Sequence, residues 1–445
     1  MITSSTRFQL PWLFVGLAAL ALSGIFSIIV AVAWHPSVKS IELFATLFRR
    51  SLIAHVNLSI SVWFLCIMFM FSSHDTHPHK QRVPWWDGGS RLLMILSMVC
   101  MTLASLDSTA LPHLNNYIPT LEHPLFFIAL GAMLALCLLQ SSYYFFTTLG
   151  QPALCPIVRT VNRSSHALLM AACACFSASA FALRDEGMTG ELYYEMVFWG
   201  GGHVLQFLWV QAMMLCWLLL AKASVEGFSF TPYQRYFWVA LIALALTPLP
   251  YAFYEVSSGE FRTAFTRMMG WICGIPPIVC VAQFIYDAAR GKHRFAPSLR
   301  SPYGVTLWCS LLLFGLGGIF AVMIRGITVQ IPAHYHGSLV GVTVAMMGAS
   351  YYVLASHGAA IHRLHRSITW QMGLLLIGQI MHIMGLFLSG GYGVQRKSPH
   401  AVSEAMNQAE LFLRIQSTGG GLAILGGLWF MIICARAWRM RSRLC

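Results

Sequence analysis

Charge is what this chain of 445 residues has least of: only 10% of its positions are Asp, Glu, Lys or Arg, and just 15 are carboxylates. Water-soluble domains carry about a quarter of their residues as charges, so a soluble globular protein and a disordered chain are both excluded. Cysteine motifs are missing as well. Twelve cysteines are present, yet none forms a Cys-x-x-Cys or Cys-x-x-Cys-His run, which excludes a zinc knuckle and covalently attached c-type haem. Most lie inside apolar runs, among them Cys66, Cys100, Cys137, Cys173, Cys175, Cys216 and Cys280. A thiol there behaves as a small hydrophobe, and no disulfide framework is expected. Formal net charge is +13, but the 28 Lys and Arg never gather into a block beside aromatic residues. Nucleic acid is therefore not an expected partner, and a basic face on anionic lipid accounts for the excess.

What the chain has instead is apolar length. Hydrophobic residues make up 57% of it, the mean hydropathy is +0.67, and apolar runs fall at 11–34, 50–72, 92–111, 123–148, 165–183, 194–221, 234–254, 268–286, 303–324, 334–356, 367–389 and 412–435. About 20 apolar residues cross a bilayer as a helix, so these runs predict an all-α polytopic membrane protein. Its twelve transmembrane helices would form a single bundle and a single domain over residues 1–445. The first run is too long for a signal-peptide core and reads as a retained helix. Pro248 and Pro250 in the seventh span and Pro276 and Pro277 in the eighth predict kinks. Twelve spans put both termini on one side, and that side collects 18 of the Lys and Arg against 10 on the other. Both termini are expected in the cytoplasm, with a bacterial inner membrane as the location.

Chemistry inside the spans points to histidine. Ionisable or metal-ligating side chains are costly in lipid, and imidazole is a common ligand for haem iron and copper. His74, His77 and His79, like His357, His362 and His365, fall in polar connections where solvated surface explains them. His55 in span two, His203 in span six, and His334 and His336 opening span ten are different. Residues two apart on a helix point about 200° from one another, so His334 and His336 can address two prosthetic groups. With the orientation above, His55, His334 and His336 share one shallow layer of the membrane. His203 lies about nine residues, or about 14 Å, below the outer end of its span. It follows Trp199-Gly200-Gly201-Gly202, three glycines that admit a flat macrocycle or a neighbouring helix. Read on its own, a lone intramembrane His packs helices by hydrogen bonding, and a glycine run is a packing notch.

In this order and spacing the residues resemble subunit I of the haem-copper oxidase superfamily, the catalytic chains of cytochrome oxidases and bacterial nitric oxide reductases. Ala54-His55-Val56-Asn57-Leu58, followed by Val62-Trp63, looks like the span-two low-spin haem motif of the reductase branch. Ile331-Pro332-Ala333-His334-Tyr335-His336 is similar to the family's His-x-His signature. The resemblance implies two haems: a low-spin haem held by His55 and His336, and a high-spin haem with His334 as its proximal ligand. It makes His203 the first ligand of a second metal, copper or non-haem iron. In Gly393-Val394-Gln395-Arg396-Lys397 it matches Arg396 and Lys397 to the basic pair that neutralises haem propionates.

The chain departs from the family at the second metal. Where an adjacent His-His pair would complete that site stand Ala252 and Phe253, neither able to hold a metal. Tyr254 and Glu255 lie close by, and a carboxylate suits non-haem iron better than copper. The family's redox-active Tyr in span six is replaced by Phe207, with Tyr251 as a substitute. The resemblance implies a respiratory-type membrane oxidoreductase that reduces dioxygen or nitric oxide with electrons from another subunit, cytochrome c or quinol. Two other readings stand beside it. One is a degenerate haem protein for gas sensing or for electron or haem relay, which Ala252 and Phe253 favour; the other is a secondary transporter using intramembrane His for proton coupling.

Overall fold

The computed structural model describes residues 9–33, 42–75, 84–153, 155–290, 299–397 and 404–441; His77 and His79 lie outside them. Among the described residues twelve helices are long and apolar enough to cross a membrane. They are α1 (Gln9–Ala33), α2 (Leu47–Ser73), α3 (Trp85–Leu106), α4 (Pro124–Thr148), α5 (Pro156–Ala182), α6 (Gly190–Ser224), α7 (Thr231–Phe253), α8 (Gly259–Ala289), α9 (Pro302–Met323), α10 (Gln330–Ser356), α11 (Ile361–Gly391) and α12 (Glu410–Arg439). The protein is an all-α, multi-pass integral membrane protein, and each of the twelve apolar runs corresponds to one helix.

The ends differ from the hydropathy reading for physical reasons. Helix α5 starts at Pro156 rather than near 165, because its polar first turns are bonded to the loop before it. The Arg159 guanidinium donates to the carbonyls of Thr148, Gln151 and Pro152 at 3.0–3.3 Å, which lets a charged turn sit at the end of a span. Helix α3 stops at Leu106, and the chain then forms a small antiparallel hairpin, β1 (Leu111–His113) with β2 (Thr120–Glu122), in the register Leu111↔Glu122. At its start the Thr109 amide and hydroxyl both donate to Asp107 at 2.8 Å. These bonds, the amide first, hold that carboxyl below the usual carboxylate range.

Two spans are irregular inside. Helix α7 opens as a 3₁₀ segment (Thr231–Trp238) and continues as two short helices meeting at Thr247, a junction that Pro248 and Pro250 explain, since neither has an N–H to continue the ladder. Helix α8, by contrast, carries Pro276 and Pro277 without interruption. Helix α2 holds a feature the sequence does not announce. Directly after Val56 the chain winds as a π-helix over Asn57–Val62, a form that is rare and often adjoins functional residues; His55 is two residues before it.

Contacts divide the chain into two compact units interleaved along the sequence. The first comprises Met1–Ala19, Val56–Leu218 and Gly227–Phe295, the second Leu20–His55, Leu219–Glu226 and Ala296–Cys445. In the first unit the polar groups between helices find one another. His166, fully enclosed, has Ser72 Oγ 2.8 Å from Nε2 and Ser141 Oγ 2.9 Å from Nδ1, with the Tyr144 ring stacked at 4.3 Å. Both ring nitrogens are satisfied, and His166 is a packed core residue.

In the second unit helices meet through glycine seams. A Cβ on Gly337 would lie 2.6 Å from Gly317 Cα, and one on Gly341 2.8 Å from Phe314 N, so α9 and α10 touch backbone to backbone. The seam between α11 and α12 is built alike: a Cβ on Gly378 would stand 2.5 Å from Ala423 N, and one on Gly385 2.6 Å from Gln416 N. Lipid-embedded helices associate by such close packing, because the hydrophobic effect gives them little reason to prefer each other over lipid.

Candidate functional site

Five intramembrane histidines make the same choice of tautomer. In His334 the ring Nδ1 lies 2.8 Å from the Gly317 carbonyl, in His336 2.9 Å from that of Pro332, and in His382 3.0 Å from that of Gln416. His203 reaches the Trp199 carbonyl at 2.8 Å. His55 lies 3.3 Å from the Ser23 carbonyl and 2.9 Å from Ser23 Oγ, whose own hydrogen goes to the His55 carbonyl. A carbonyl only accepts, so Nδ1 carries the proton in each ring and Nε2 carries the lone pair. Metal-ligating imidazoles are held in this way, one nitrogen donating to a backbone oxygen while the other points at the metal. His357 makes the same bond, 2.8 Å to the Val353 carbonyl, just past the end of its span. The tautomer therefore qualifies a histidine as a ligand without making it one, and what lies around Nε2 decides.

Around three of the rings in the second unit, Nε2 has no protein donor. Among the described residues no hydrogen bond reaches Nε2 of His334, His336 or His382. The first two, within one turn of α10 and about 200° apart around it, leave the helix towards different neighbours. His334 turns to α9, where the glycine seam brings the Gly317 carbonyl into reach. His336 turns to α11, where Gln379 Nε2 donates to its backbone carbonyl at 3.1 Å and the His382 ring stands 4.9 Å away at 61°. His55 lies within electrostatic reach of both His336 and His382. An apolar cluster that includes Phe320, Ala333, Ile383, Leu386 and Leu413 packs at the positions adjoining His334 and His382. The three rings are half-buried and their Nε2 atoms are not enclosed by protein, so the lone pairs face open space, and His334 and His336 fit haem iron as ligands.

The basic pair is brought to the same end of α10. Val329 N donates to the Val394 carbonyl at 3.0 Å, and Thr328 bridges Gln395. This tie holds the 391–397 turn against the start of α10 and puts Arg396 within electrostatic reach of Tyr335, whose ring stacks on His336 at 5.1 Å. Lys397 has φ 63°, a left-handed backbone that costs a non-glycine residue about 1–2 kcal/mol.

The first unit gives His203 a different setting. Its Nε2 is 3.0 Å from the Tyr117 hydroxyl, so the phenol donates to the lone pair that a metal would need. Tyr117, Trp199 and Phe265 box the ring at centroid distances of 5.0, 5.2 and 5.7 Å, and only 1% of His203 is exposed. Tyr117 comes from the hairpin loop, pinned to α6 where Glu195 accepts from the Asn116 amide at 2.9 Å. The three glycines before His203 are filled by protein. A Cβ on Gly200 would lie 2.5 Å from the Tyr251 hydroxyl, one on Gly201 2.7 Å from the Ala172 carbonyl of α5, and one on Gly202 2.6 Å from Tyr117 Cβ. Of the two uses for that run, close approach of neighbouring protein is the one found. Tyr251 donates to the Cys175 carbonyl at 3.1 Å and lies 2.9 Å from Ser179 Oγ. Ala252 and Glu255 are exposed, as are Phe253 (73%) and Tyr254 (44%). Among the described residues no group of three His, Cys, Asp or Glu side chains could hold a metal ion. The residues around His203 do not fit a second metal.

His382 and Tyr117 escape a sequence reading for separate reasons. His382 is a lone histidine with no spacing partner, and Tyr117 sits in a polar loop with no periodicity to show that it dips onto α6.

No protein-family model matches the chain. It is 30% identical to the uncharacterized protein RP382 of Rickettsia prowazekii (strain Madrid E) over 494 aligned positions, 96% of this chain and 94% of that protein. The chain belongs to the family of that protein. An uncharacterized protein of Aquifex aeolicus (strain VF5) is 25% identical over 363 positions, 78% of this chain and 84% of its own. Among solved structures, a chain of a heme-copper terminal oxidase dimer superposes with a TM-score of 0.73, covering 97% of this chain and 84% of that one at 14% identity. The chain therefore has the fold of a heme-copper terminal oxidase chain, as the resemblance implied.

Proposed function

We propose that this protein is a haem-containing membrane oxidoreductase. His55 and His336 hold a low-spin haem, His334 holds a second haem with one open axial position, and a donor subunit, cytochrome c or quinol supplies electrons. The observation that carries this reading is the pair on α10: two imidazoles within one helical turn, each with its Nδ1–H donated to a carbonyl and no hydrogen bond at Nε2 among the described residues, turned towards different neighbouring helices. Haem iron supplies one-electron chemistry and, where an axial position is open, a seat for a diatomic ligand such as dioxygen or nitric oxide. The chain's own residues do the rest. The Gly317 carbonyl holds the Nδ1 proton of His334 and so aims its Nε2 lone pair outward, Arg396 and Lys397 offer positive charge to haem carboxylates, and the apolar cluster that includes Ala333 and Ile383 packs beside the pair. The twelve-helix oxidase-type fold and the basic excess on the side of the termini support a multi-pass inner-membrane protein with both termini in the cytoplasm.

The closed environment of His203 favours one form of this reading. With its lone pair taken by Tyr117, and Ala252 and Phe253 beyond use as ligands, gas binding or electron relay needs nothing that the first unit lacks, whereas bond-breaking between two metals does. The experiment is a reduced-minus-oxidised and a carbon monoxide difference spectrum on the purified protein, with iron and copper counted on the same sample. Two haems are expected, one of them binding carbon monoxide, with no copper. H334A should abolish the carbon monoxide signal and spare the low-spin band, and H336A should do the reverse. A preparation without a Soret band refutes the haem reading and returns the transporter reading to first place. A stoichiometric second metal refutes the relay form.

A further inference from the structure

The third imidazole in the second unit has no place in the ligand scheme above. We propose that His382 is a positioning residue that fixes the ring plane of His336; the inference rests on His336 serving as an axial ligand of the low-spin haem. His382 is itself held from two sides. Its Nδ1–H donates to the Gln416 carbonyl at 3.0 Å, and the backbone of α12 is pressed against it: a Cβ on Gly419 would stand 2.5 Å from His382 N, and one on Gly420 3.1 Å from His382 Nδ1. An alanine at Gly420 would press on the ring and one at Gly419 on the His382 backbone, so α12 packs directly against this residue.

His336 is less constrained on its own. One hydrogen bond, from Nδ1 to the Pro332 carbonyl, anchors an edge of the imidazole and leaves the tilt of its plane to face contacts. Those come from Tyr335, stacked at 29°, and from His382, edge to face at 61° with the centroids 4.9 Å apart. Tyr335 is the next residue on the same helix, whereas His382 comes from another helix and is clamped there. His382 therefore supplies the fixed reference against which the His336 plane is set.

The same distance excludes the obvious alternative. With metal–nitrogen bonds of about 2.0 Å, two imidazoles on opposite faces of one iron stand with centroids roughly 6 Å apart or more. At 4.9 Å, His336 and His382 cannot both be axial ligands of that iron, so His382 flanks the ligand and does not replace His55.

The test reads the ligand plane directly. In a six-coordinate ferric haem, the g-anisotropy of the low-spin electron paramagnetic resonance signal follows the angle between the two axial imidazole planes. The whole purified protein would be compared as wild type, His382→Ala, His382→Leu, which fills the volume without an aromatic edge, and His382→Phe, which keeps one. The expected result is an unchanged haem count and a low-spin signal in all four. The low-field feature should be shifted and broadened in the Ala and Leu variants and returned towards wild type in the Phe variant. Superimposable spectra in all four overturn the proposal, as does a shift that Phe fails to rescue. Loss of the low-spin signal in Ala or Leu, with a matching gain in high-spin intensity over that of the His334 haem in wild type, also overturns it, because His382 would then be a ligand. Should Ala not accumulate, the Leu and Phe pair decides alone. A wild-type protein with no low-spin haem signal is a different failure, visible before any variant is made, and it falls on the haem reading itself.

Discussion

Gly317→Ala is the substitution that most sharply tests how α9 and α10 are joined. A methyl group there would lie 2.8 Å from the backbone carbon of Gly337 and 2.6 Å from Ser338 Oγ. Carbon atoms pack at about 3.5 Å or more, so the two helices must separate locally by roughly 0.7 Å. Overpacking of that kind costs about 1–3 kcal/mol. The separation also stretches the 2.8 Å bond from His334 Nδ1 to the Gly317 carbonyl, whose net worth is about 0.5–1.5 kcal/mol. The sum is about 1.5–4.5 kcal/mol in stability, with His334 free to turn. Two neighbours on the same helix serve as controls, because a Cβ on Gly315 or Gly318 meets nothing within 4 Å. Alanine at either should change stability by about 0.5 kcal/mol or less. Unfolding in mixed micelles, followed by tryptophan fluorescence, would measure the stability, and the carbon monoxide difference amplitude per protein would report the His334 site. G317A should be the outlier on both axes, while the low-spin band, which depends on His336, survives. If G317A matches G318A in stability, the seam is not in backbone contact, and the account of how His334 is held fails with it.

Two further outcomes follow from the geometry. Tyr117→Phe removes the hydroxyl that donates to His203 Nε2 and should destabilise the protein by about 1–3 kcal/mol with no change in bound metal; loss of a metal on this substitution would show that His203 is a ligand after all. Lys397→Gly relieves a left-handed backbone, φ 63°, and should by itself stabilise the turn by about 1–2 kcal/mol. If Lys397 also faces haem carboxylates, the variant should lower the low-spin haem's midpoint potential, and potentiometric titration giving an unchanged value would remove it from that role.

The twelve spans are legible in the sequence because crossing a bilayer demands about 20 apolar residues in a row, and little else produces such runs. Helix ends are less so. The first turns of α5 are polar yet helical, since Arg159 can bond the preceding carbonyls, a partnership that hydropathy does not see. The π-helix at Asn57–Val62 leaves no mark in composition, as its residues would sit equally well in an α-turn. His334 and His336 are legible because two histidines two apart on one helix imply two directions. His382 is not, because its meaning comes from α12, whose glycines press against it from 37 residues further along the chain. The glycine run before His203 shows the same limit from the other side: its smallness can be read, while what fills the space, Tyr117 above all, depends on a loop that folds back from elsewhere.

The acceptors that set the histidine tautomers are main-chain oxygens of Gly317, Pro332, Gln416 and Trp199. Every amino acid brings a carbonyl, so the hydrogen bonds themselves place no demand on which side chain stands at these four positions. Nor can such an acceptor ionise, and a substitution reaches it only by moving the backbone. The protonation pattern of the site is thus written in the course of the backbone, and it tolerates sequence divergence as far as the fold does. At Gly317 what resists change is the contact with α10, and the hydrogen bond there imposes no demand on residue identity.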